Sequence, residues 1–504
     1  MPESRARTQP VGLFLGVAFL LLLVGGGALA WLLARQGVRA PLKIVLITPS
    51  AEAASGFETA QARALSALIQ DHLECLGGFA VTSVTEVPTD FEPFRDQART
   101  LLVQPNPRRQ GDHLELSYRF LWGRQIPRGV APVWSTRTAQ PMAPAQAFSE
   151  FMKTFPQAVK DPGGFLVPKA DSVFWDLVRA AAWRLQNRHL EEALALAERV
   201  TRQEPECAST WILLGNLRYR AMLNRAVASR QEQADTEAAL QRGLTLALNH
   251  PRGTFLLSLL KADIGNQRDA LDLLMRARRK QPYNPTLLTG IAYAARGAGL
   301  LPLARRAMDM RDNLAFAQLQ PQAVDITCLY TGEITRFEAS LQEQPGHLRS
   351  ASGVLPFYRG YLALVRGNQA LAHREFRSAA DLANGYPNIV RLSGIYDLIL
   401  QGQKDEAWKQ LREYDQERIG MREPDGEFTI RLAEAYALMG DRASAMEMAN
   451  RAFGRGFGCT DWYERSPMLE PIRSLPKWKA LVQHLKERQA IMEDRFPIGL
   501  LEEN

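Results

Sequence analysis

Apolar residues recur every three or four positions along more than half of this chain, from about residue 172 to residue 458. The apolar stretches come in pairs separated by short polar turns, and small residues recur at matching offsets from one pair to the next. Two such sets are Gly265, Ala270, Leu274, Ala277 and Pro282, and Gly360, Gly367, Ala372, Phe376 and Ala379. The repeat length is about 34 residues, which predicts stacked pairs of helices, because a single pair cannot bury its own apolar face.

The residue types at these positions fit paired helices. Small residues let two helices approach closely, a glycine ends the first helix where the chain turns, and a proline such as Pro205 starts the connection to the next unit. The pattern resembles the tetratricopeptide repeat family. This resemblance implies a mainly α fold, an α-solenoid of tetratricopeptide-like helix pairs over residues 171–458. We expect units to begin near residues 174, 208, 251, 285, 353, 388 and 426.

Two stretches depart from the regular repeat. An insertion at 221–236 predicts lengthened helices in the second unit. Residues 321–345 keep only Gly332 and Pro345 of the pattern, so the array is expected to bend or loosen there. Residues 459–504 are predicted to form C-terminal capping helices.

Residues 41–168 are predicted to form a separate small α/β domain in front of the repeats. The pattern switches there from helical spacing to alternation, as in the stretch that carries Leu114, Leu116 and Tyr118. The predicted elements are a strand at 43–49, a helix at 57–76, strands at 80–87, 100–104, 113–122 and 132–138, and a helix at 145–159.

This order of elements resembles the TolB-like amino-terminal domain, which also occurs as a spacer in the extracytoplasmic part of membrane-anchored bacterial regulators. The resemblance rests on a first strand ending in Pro49, on LLVQPNPRRQGDHLELSYRF at 101–120, on Val133–Thr136, and on a tail at 456–481 like those that close such repeat arrays. In those families a DNA-binding, cyclase or kinase domain precedes the membrane segment. Only ten residues precede it here, so we expect a partner to carry any signalling output.

One uncharged apolar segment, residues 11–34, precedes the α/β domain and is long enough to cross a bilayer, which needs about 20 apolar residues. An alternative is a cleaved signal peptide, because 13–24 has the length of a signal-peptide core and 28–30 reads Ala-Leu-Ala. Apolar residues continue past that point, and Trp31 suits an interfacial anchor. We therefore favour an uncleaved transmembrane signal anchor behind a short polar N-terminus, residues 1–10.

Basic residues flank this segment on both sides. Arg5 and Arg7 precede it, whereas Arg35, Arg39 and Lys43 come after it, so the positive-inside count slightly favours a cytoplasmic body. An anchor with so short a head usually exports the rest of its chain. We expect a single-pass protein of the inner, cytoplasmic membrane with an extracytoplasmic body.

The formal net charge of +7 is nearly balanced over the repeats, and no nucleic-acid partner is expected. The basic run at 276–280 is interpreted as a solvated helix end near the favourable C-terminal dipole rather than as a nucleic-acid patch. The four cysteines are widely spaced and form no CxxC pair, which favours small buried residues, although a disulfide between neighbouring repeats stays open. The histidines show no ligand spacing, and no catalytic constellation is present, so we predict no enzyme, no metal site and no cofactor.

If the repeats bind a partner, the inner face of the first helices is the expected place. The candidate partner-binding residues on that face are Tyr293, Arg296, Phe357, Tyr361, Leu364, Leu392 and Tyr396. These side chains either pack between helices or against the α/β domain, or they form an apolar groove for a peptide or helix. The favoured function is a membrane-tethered scaffold or adaptor that organises protein partners at the bacterial envelope. The alternative is a sensory or regulatory subunit whose α/β domain binds a ligand and signals through the repeats.

Overall fold

The computed structural model describes most of the chain beyond the apolar segment. The described residues are 41–48, 57–84, 88, 90–95, 97, 99–128, 132–153, 155, 166–186, 189–224, 229–248, 250–315, 326–342, 353–382, 386–419 and 426–502. The predicted anchor at 11–34 lies outside them. Within these ranges, the helices are all too short or too polar to span a bilayer.

A five-stranded mixed sheet forms near the start of the described chain. Its strands are β1 (Leu42–Ile47), β2 (Phe79–Val84), β3 (Thr100–Gln110), β4 (His113–Trp122) and β5 (Ser135–Arg137). The order is β2-β1-β3-β4-β5, with β1 parallel to β2 and β3, and with antiparallel pairing from β3 to β5. Two helices accompany the sheet, α1 (Phe57–Leu76) and α2 (Pro144–Met152). The predicted order of strands and helices is confirmed, with β3 longer than expected.

The interior strand β1 shows why residues 44–47 form a continuous apolar run. Ile44 and Leu46 face α1 and α2, whereas Val45 and Ile47 belong to a smaller core on the other face. All four side chains are fully buried. A strand covered on both faces has no polar side, as is usual where parallel strands pair.

The core of the sheet continues into the first repeat helices. The ring of Phe148 on α2 lies 5.8 Å from the ring of Phe174, which belongs to the first helix of the array. One hydrophobic cluster joins β1, α1 and α2 to residues 174–217. The sheet region and the first helix pairs are therefore continuous in packing, while the domain bounds 41–168, 171–458 and 459–504 stay predictions.

Paired helices make up the rest of the chain. In chain order they are α3 (Asp171–Gln186), α4 (Leu190–Gln203), α5 (Ala208–Asn224), α6 (Arg230–Leu246), α7 (Pro251–Asp263), α8 (Gln267–Lys280), α9 (Pro285–Ala298), α10 (Leu301–Ala315), α11 (Ile326–Thr331), α12 (Ile334–Gln342), α13 (Val354–Val365), α14 (Gln369–Ala380), α15 (Pro387–Leu400), α16 (Lys404–Ile419), α17 (Gly426–Met439) and α18 (Arg442–Gly454). The predicted starting residues of the first helix in each repeat unit are confirmed to within a few residues. The insertion does lengthen α5 and α6, to 17 residues each. The degenerate stretch forms a short pair, α11 and α12.

Local signals set where these helices begin. At α9, the side chain of Asn284 accepts a hydrogen bond from the backbone N–H of Leu287 at 3.0 Å, and Pro285 takes the first position. Asn266 caps α8 in the same way through the N–H of Asp269. Such caps satisfy N–H groups that have no partner inside the helix, so these boundaries are readable from the sequence.

The C-terminal segment turns back onto the middle of the array. It consists of α19 (Thr460–Arg465), a 3-10 turn at Pro467–Ile472, α20 (Pro476–Arg495) and a 3-10 turn at Ile498–Leu501. Met492, Phe496 and Leu501 enter the core formed by α8, α9 and α10. The backbone N–H of Gly458 also donates to the carbonyl of Gly297 at 2.7 Å. The C-terminal segment therefore packs against helices that lie about 200 residues earlier in the chain.

Arg278 corrects the interpretation of the basic run. Arg276, Arg279 and Lys280 are exposed, as expected, but Arg278 is only 1% exposed. Its guanidinium donates to the carbonyls of Leu500 and Leu501. This arginine is therefore an anchor for the end of the chain rather than part of a solvated helix end.

Candidate partner-binding site

Five of the predicted partner-binding residues lie inside the array. Phe357, Tyr361 and Leu364 on α13, and Leu392 and Tyr396 on α15, are all buried in one hydrophobic cluster. Tyr396 stacks on Phe376 with ring centroids 5.0 Å apart. The first helices do present these side chains inward, but the inside is filled. A partner could contact them only after the helices separate, so their binding role stays a prediction that this packing does not favour.

The other two predicted residues lie at a cleft. The guanidinium of Arg296 lies 5.0 Å from the ring centroid of Tyr293 and forms an ion pair of 3.0 Å with Glu427 on α17. The hydroxyl of Tyr293 donates to Asp263 at 2.6 Å. A cleft of about 20 Å³ is lined by Asp263, Gln267, Tyr293 and Glu427, among others. Of the seven predicted residues, Tyr293 and Arg296 are the ones that lie partly at the surface.

A buried polar network, which the sequence analysis missed, holds this region together. Arg431 and Glu434 on α17 are almost fully buried, with their charged groups 3.4 Å apart. Glu434 also accepts hydrogen bonds from Trp462 Nε1 at 2.9 Å, from Ser466 Oγ at 2.7 Å and from the hydroxyl of Tyr361 at 2.5 Å. The carboxylate is therefore bonded on both oxygens by groups from other segments of the chain.

The same network reaches the cleft. Arg431 donates to the hydroxyl of Tyr330 at 2.7 Å, and that hydroxyl donates to Glu427. Burial alone would raise the pKa of Glu427, but Arg296 and Arg431 together hold it below its usual value. Two arginines and two glutamates thus offset each other in a largely buried site, an arrangement in which each charge depends on the others.

The chemistry of this network is structural. Burial raises the pKa values of Tyr330 and Tyr361 well above the ordinary tyrosine range, so both hydroxyls stay neutral donors. A sequence signal for the network does exist: Arg431 and Glu434 interrupt the apolar helix α17 at a spacing of three residues. A charged pair on the buried face of a helix predicts partners elsewhere in the fold, although not which ones.

A second cleft lies where the sheet region meets the array, and it too was missed. It encloses a volume of about 40 Å³ and is bounded by helices α1, α3, α5 and α7. Its polar lining residues are Asp71, Arg184, Ser209, Asn216, His250 and Arg252. These positions come from four segments separated by up to 181 residues, so no local motif could have brought them together.

Charge in this second cleft is unevenly paired. Arg252 Nε donates to Asp71 Oδ1 at 2.6 Å. Arg184 forms no ion pair with any carboxylate of the described chain, and burial together with Arg252 and Arg220 lowers its pKa to about 9. Burial lowers the pKa of His250 to about 4, so its ring is neutral at neutral pH. The cleft therefore carries an excess of positive charge.

The remaining candidate chemistry is sparse in the part of the chain that the structure describes. The four cysteines are free thiols; Cys207, Cys328 and Cys459 are buried, as predicted, whereas Cys75 is only half-buried. Burial raises the pKa of Cys207 and Cys459 to about 12, so both stay protonated. No group of three histidine, cysteine or acidic side chains is placed to hold a metal ion among the described residues.

Comparison with known proteins finds similarity in structure alone. No family model and no curated protein matches this chain. Among solved structures, a chain of the APC/C hetero-tetramer Cut9–Hcn1 has 11% identity and a TM-score of 0.36, over 71% of this chain and 80% of that one. The TPR domain of P58(IPK) has 12% identity and a TM-score of 0.20, over 65% of this chain and 99% of that one. Both TM-scores are low, so this chain is identified as a helical-repeat protein by its own stacked helix pairs.

Proposed function

We propose that this protein is a non-enzymatic scaffold that holds protein partners on a helical-repeat surface and is tethered to a membrane by residues 11–34. The observation that carries the proposal is the array of stacked helix pairs from α3 to α18. Stacked pairs create an extended surface whose curvature suits protein partners. The C-terminal segment packs against the middle of this array, and a preorganised surface loses less entropy when a partner binds.

Because the interior of the array is filled with side chains, we expect partners to contact the outer helices. Among the described side chains of α16, the buried ones are Ala407, Leu411 and Tyr414, so most of this helix faces solvent. Trp408 is 41% exposed there, with the guanidinium of Arg412 at 4.6 Å from its ring centroid. Tryptophan is enriched at interface positions that contribute most to binding. We take Trp408 as the outer contact point to test.

The scaffold proposal is tested by photo-crosslinking in native membranes. A photoreactive phenylalanine analogue replaces Trp408 in the full-length chain, and the matched control carries it at Val133, which is 88% exposed but lies outside the array. We expect position 408 to capture a defined set of proteins that position 133 does not. Equal capture from both positions, or none from either, would contradict binding at this surface.

The membrane arrangement is a separate part of the proposal. Residues 11–34 would form a single-pass anchor in the inner membrane with the body on the extracytoplasmic side. A Val133→Cys variant tests the side, because Val133 is exposed and the four native thiols are buried or half-buried. We expect a membrane-impermeant maleimide to label it in cells whose inner membrane is intact. Labelling only after lysis of the inner membrane would place the body in the cytoplasm.

A second candidate function is the sensory or regulatory subunit, with the TolB-like resemblance of residues 41–168 behind it. The cleft between α1 and the first helix pairs supports this candidate, because a ligand there would touch both the sheet region and the array. The two functions differ in their requirement for a small molecule. Capture of partners that changes when a ligand occupies this cleft would favour the sensory function.

A further inference from the structure

The cleft between α1, α3, α5 and α7 combines a cation with a buried ring nitrogen that has no partner. Ser209 and Asn216 on α5 line the cleft and are 7% and 5% exposed. His250 is 1% exposed, and its Nε2 has no hydrogen-bond partner among the described residues. A buried polar atom without a partner costs free energy, so this nitrogen on a residue that lines the cleft calls for an explanation.

The hydrogen-bond donors and acceptors that line the cleft can be assigned. His250 Nδ1 accepts from the backbone N–H of Gly253, at 3.5 Å, which leaves the proton of the neutral ring on Nε2. Arg184 contributes N–H donors as well as charge, and the Ser209 hydroxyl and Asn216 amide each offer a further donor. Among the described residues that line the cleft, Asp71 carries the one carboxylate, and Arg252 engages it. The polar side of the cleft is thus rich in donors and has no carboxylate left unpaired among these residues.

The opposite side of the cleft is apolar. Its walls are formed by the large side chains of Leu68, Leu177, Ile212 and Leu213 and by the small side chains of Ala64, Ala67 and Ala181. A ligand charged along its whole length would have no polar partner on the apolar side. An ammonium group would meet no unpaired carboxylate among the described lining residues. A ligand matched to both sides carries one anionic group and an uncharged apolar body.

We propose that this cleft binds a small monocarboxylate with a short apolar body, its carboxylate at Arg184 and its body against the apolar walls of α1, α3 and α5. Arginine pairs with a carboxylate through two parallel N–H donors, and hydrogen bonds to an ionised group are about twice as strong as neutral ones. The ligand would contact the sheet region and the first helix pairs at once. This inference is independent of the scaffold function, because it concerns a different surface from α16.

Isothermal titration calorimetry on the full-length protein in detergent tests the proposal with a panel of probes. The probes are 4-methylpentanoate and phenylacetate as ligands, acetate as the anion without a body, 4-methylpentanol as the body without an anion, and inorganic phosphate. We expect the first two to bind at least about tenfold more tightly than the other three. Comparable binding of the alcohol, preferential binding of phosphate, or no binding of either carboxylate would overturn the proposal.

Variants locate the binding. Arg184→Met is expected to weaken binding of 4-methylpentanoate by about tenfold or more, whereas Arg179→Gln, on the same helix but more exposed, should leave it unchanged. Because Arg184 has no ion pair to lose within the described chain, its replacement should not lower the melting temperature. Ala67→Leu at the half-buried edge should block the body while keeping the charge, so it tests the same site if Arg184→Met folds poorly. Unchanged affinity in both Arg184→Met and Ala67→Leu would place any binding elsewhere.

Discussion

Replacing Glu434 with glutamine removes one charge from the buried network while keeping the shape of the side chain. In the folded protein Glu434 Oε1 accepts from Trp462 Nε1 and Ser466 Oγ, and Oε2 accepts from Tyr361 and faces Arg431. A glutamine can keep only one of these two oxygens. Its amide nitrogen would then oppose either the Trp462 and Ser466 donors or the guanidinium of Arg431.

The size of the effect depends on the charge that remains. With the amide nitrogen toward Arg431, the Trp462 and Ser466 bonds survive, but the arginine loses its partner on α17 in a site where both side chains are at most 2% exposed. Removing one partner of a buried ion pair costs about 3–5 kcal/mol, because the other charge stays buried without compensation. We expect Glu434→Gln to lower the free energy of unfolding by about 3 kcal/mol.

Urea unfolding monitored by tryptophan fluorescence measures this effect, with Glu447→Gln as the matched control. Glu447 lies on α18 and pairs with Arg451 at 2.8 Å, but its side chain is 67% exposed, so the control should lose no more than about 1 kcal/mol. The double variant Arg431→Met with Glu434→Gln should cost less than the sum of the two single changes. If Glu434→Gln were as mild as the control, the network would not stabilise the closure and the reasoning would be refuted.

Three further changes test other parts of the fold. Burial raises the pKa of Glu74 to about 7, above its unfolded value of about 4.3. Its contribution to stability is therefore fully present below about pH 4.3 and is lost as the pH rises through about 7. Glu74→Gln should shrink the stability difference between pH 5 and pH 8 by about 2–3 kcal/mol in urea titrations, and an unchanged difference would contradict this. Gly265 has φ of 82° and an added Cβ would lie 2.8 Å from the carbonyl oxygen of Arg455, whereas Gly402 has φ of 75° and open space around it. Gly265→Ala should therefore lower the melting temperature more than Gly402→Ala, which carries only the backbone strain of about 1 kcal/mol; equal losses would argue against the close contact. Arg278→Gln should speed hydrogen exchange at 498–502 relative to Arg279→Gln, because Arg278 alone of the two bonds the terminal carbonyls; equal exchange in both variants would remove Arg278 as the anchor.

The helices could be predicted because their signals are local. Apolar spacing, a capping asparagine such as Asn284 and a first-turn proline such as Pro285 act within a few residues of each other. The same holds for the sheet region, where residues 44–47 of the doubly covered strand β1 form an uninterrupted apolar run. The direction in which Tyr361 and Tyr396 point was also readable, since a helix face is set by its periodicity.

The candidate site was harder to predict because it depends on distant contacts. Sequence reasoning placed Tyr361 on an inner face and treated that face as a possible groove, but it had no means of showing that Arg431 and Trp462 would occupy the space. The cleft that holds Arg184 is assembled from four separate segments. Its residues carry no shared spacing, so their proximity does not appear in the sequence.

The sequence by itself determined that this chain forms a mixed sheet and then stacked helix pairs, and where most of those helices begin. Only the tertiary structure decided that the array closes, that Arg278 holds the terminal carbonyls across 223 residues, and that the predicted inner aromatic residues became core. The physical reason is one of range. Helix formation depends on neighbours within about one turn. The path of a repeat array, by contrast, is the sum of small rotations between units. The contacts between the C-terminal segment and the middle of the array form only when those rotations have been added.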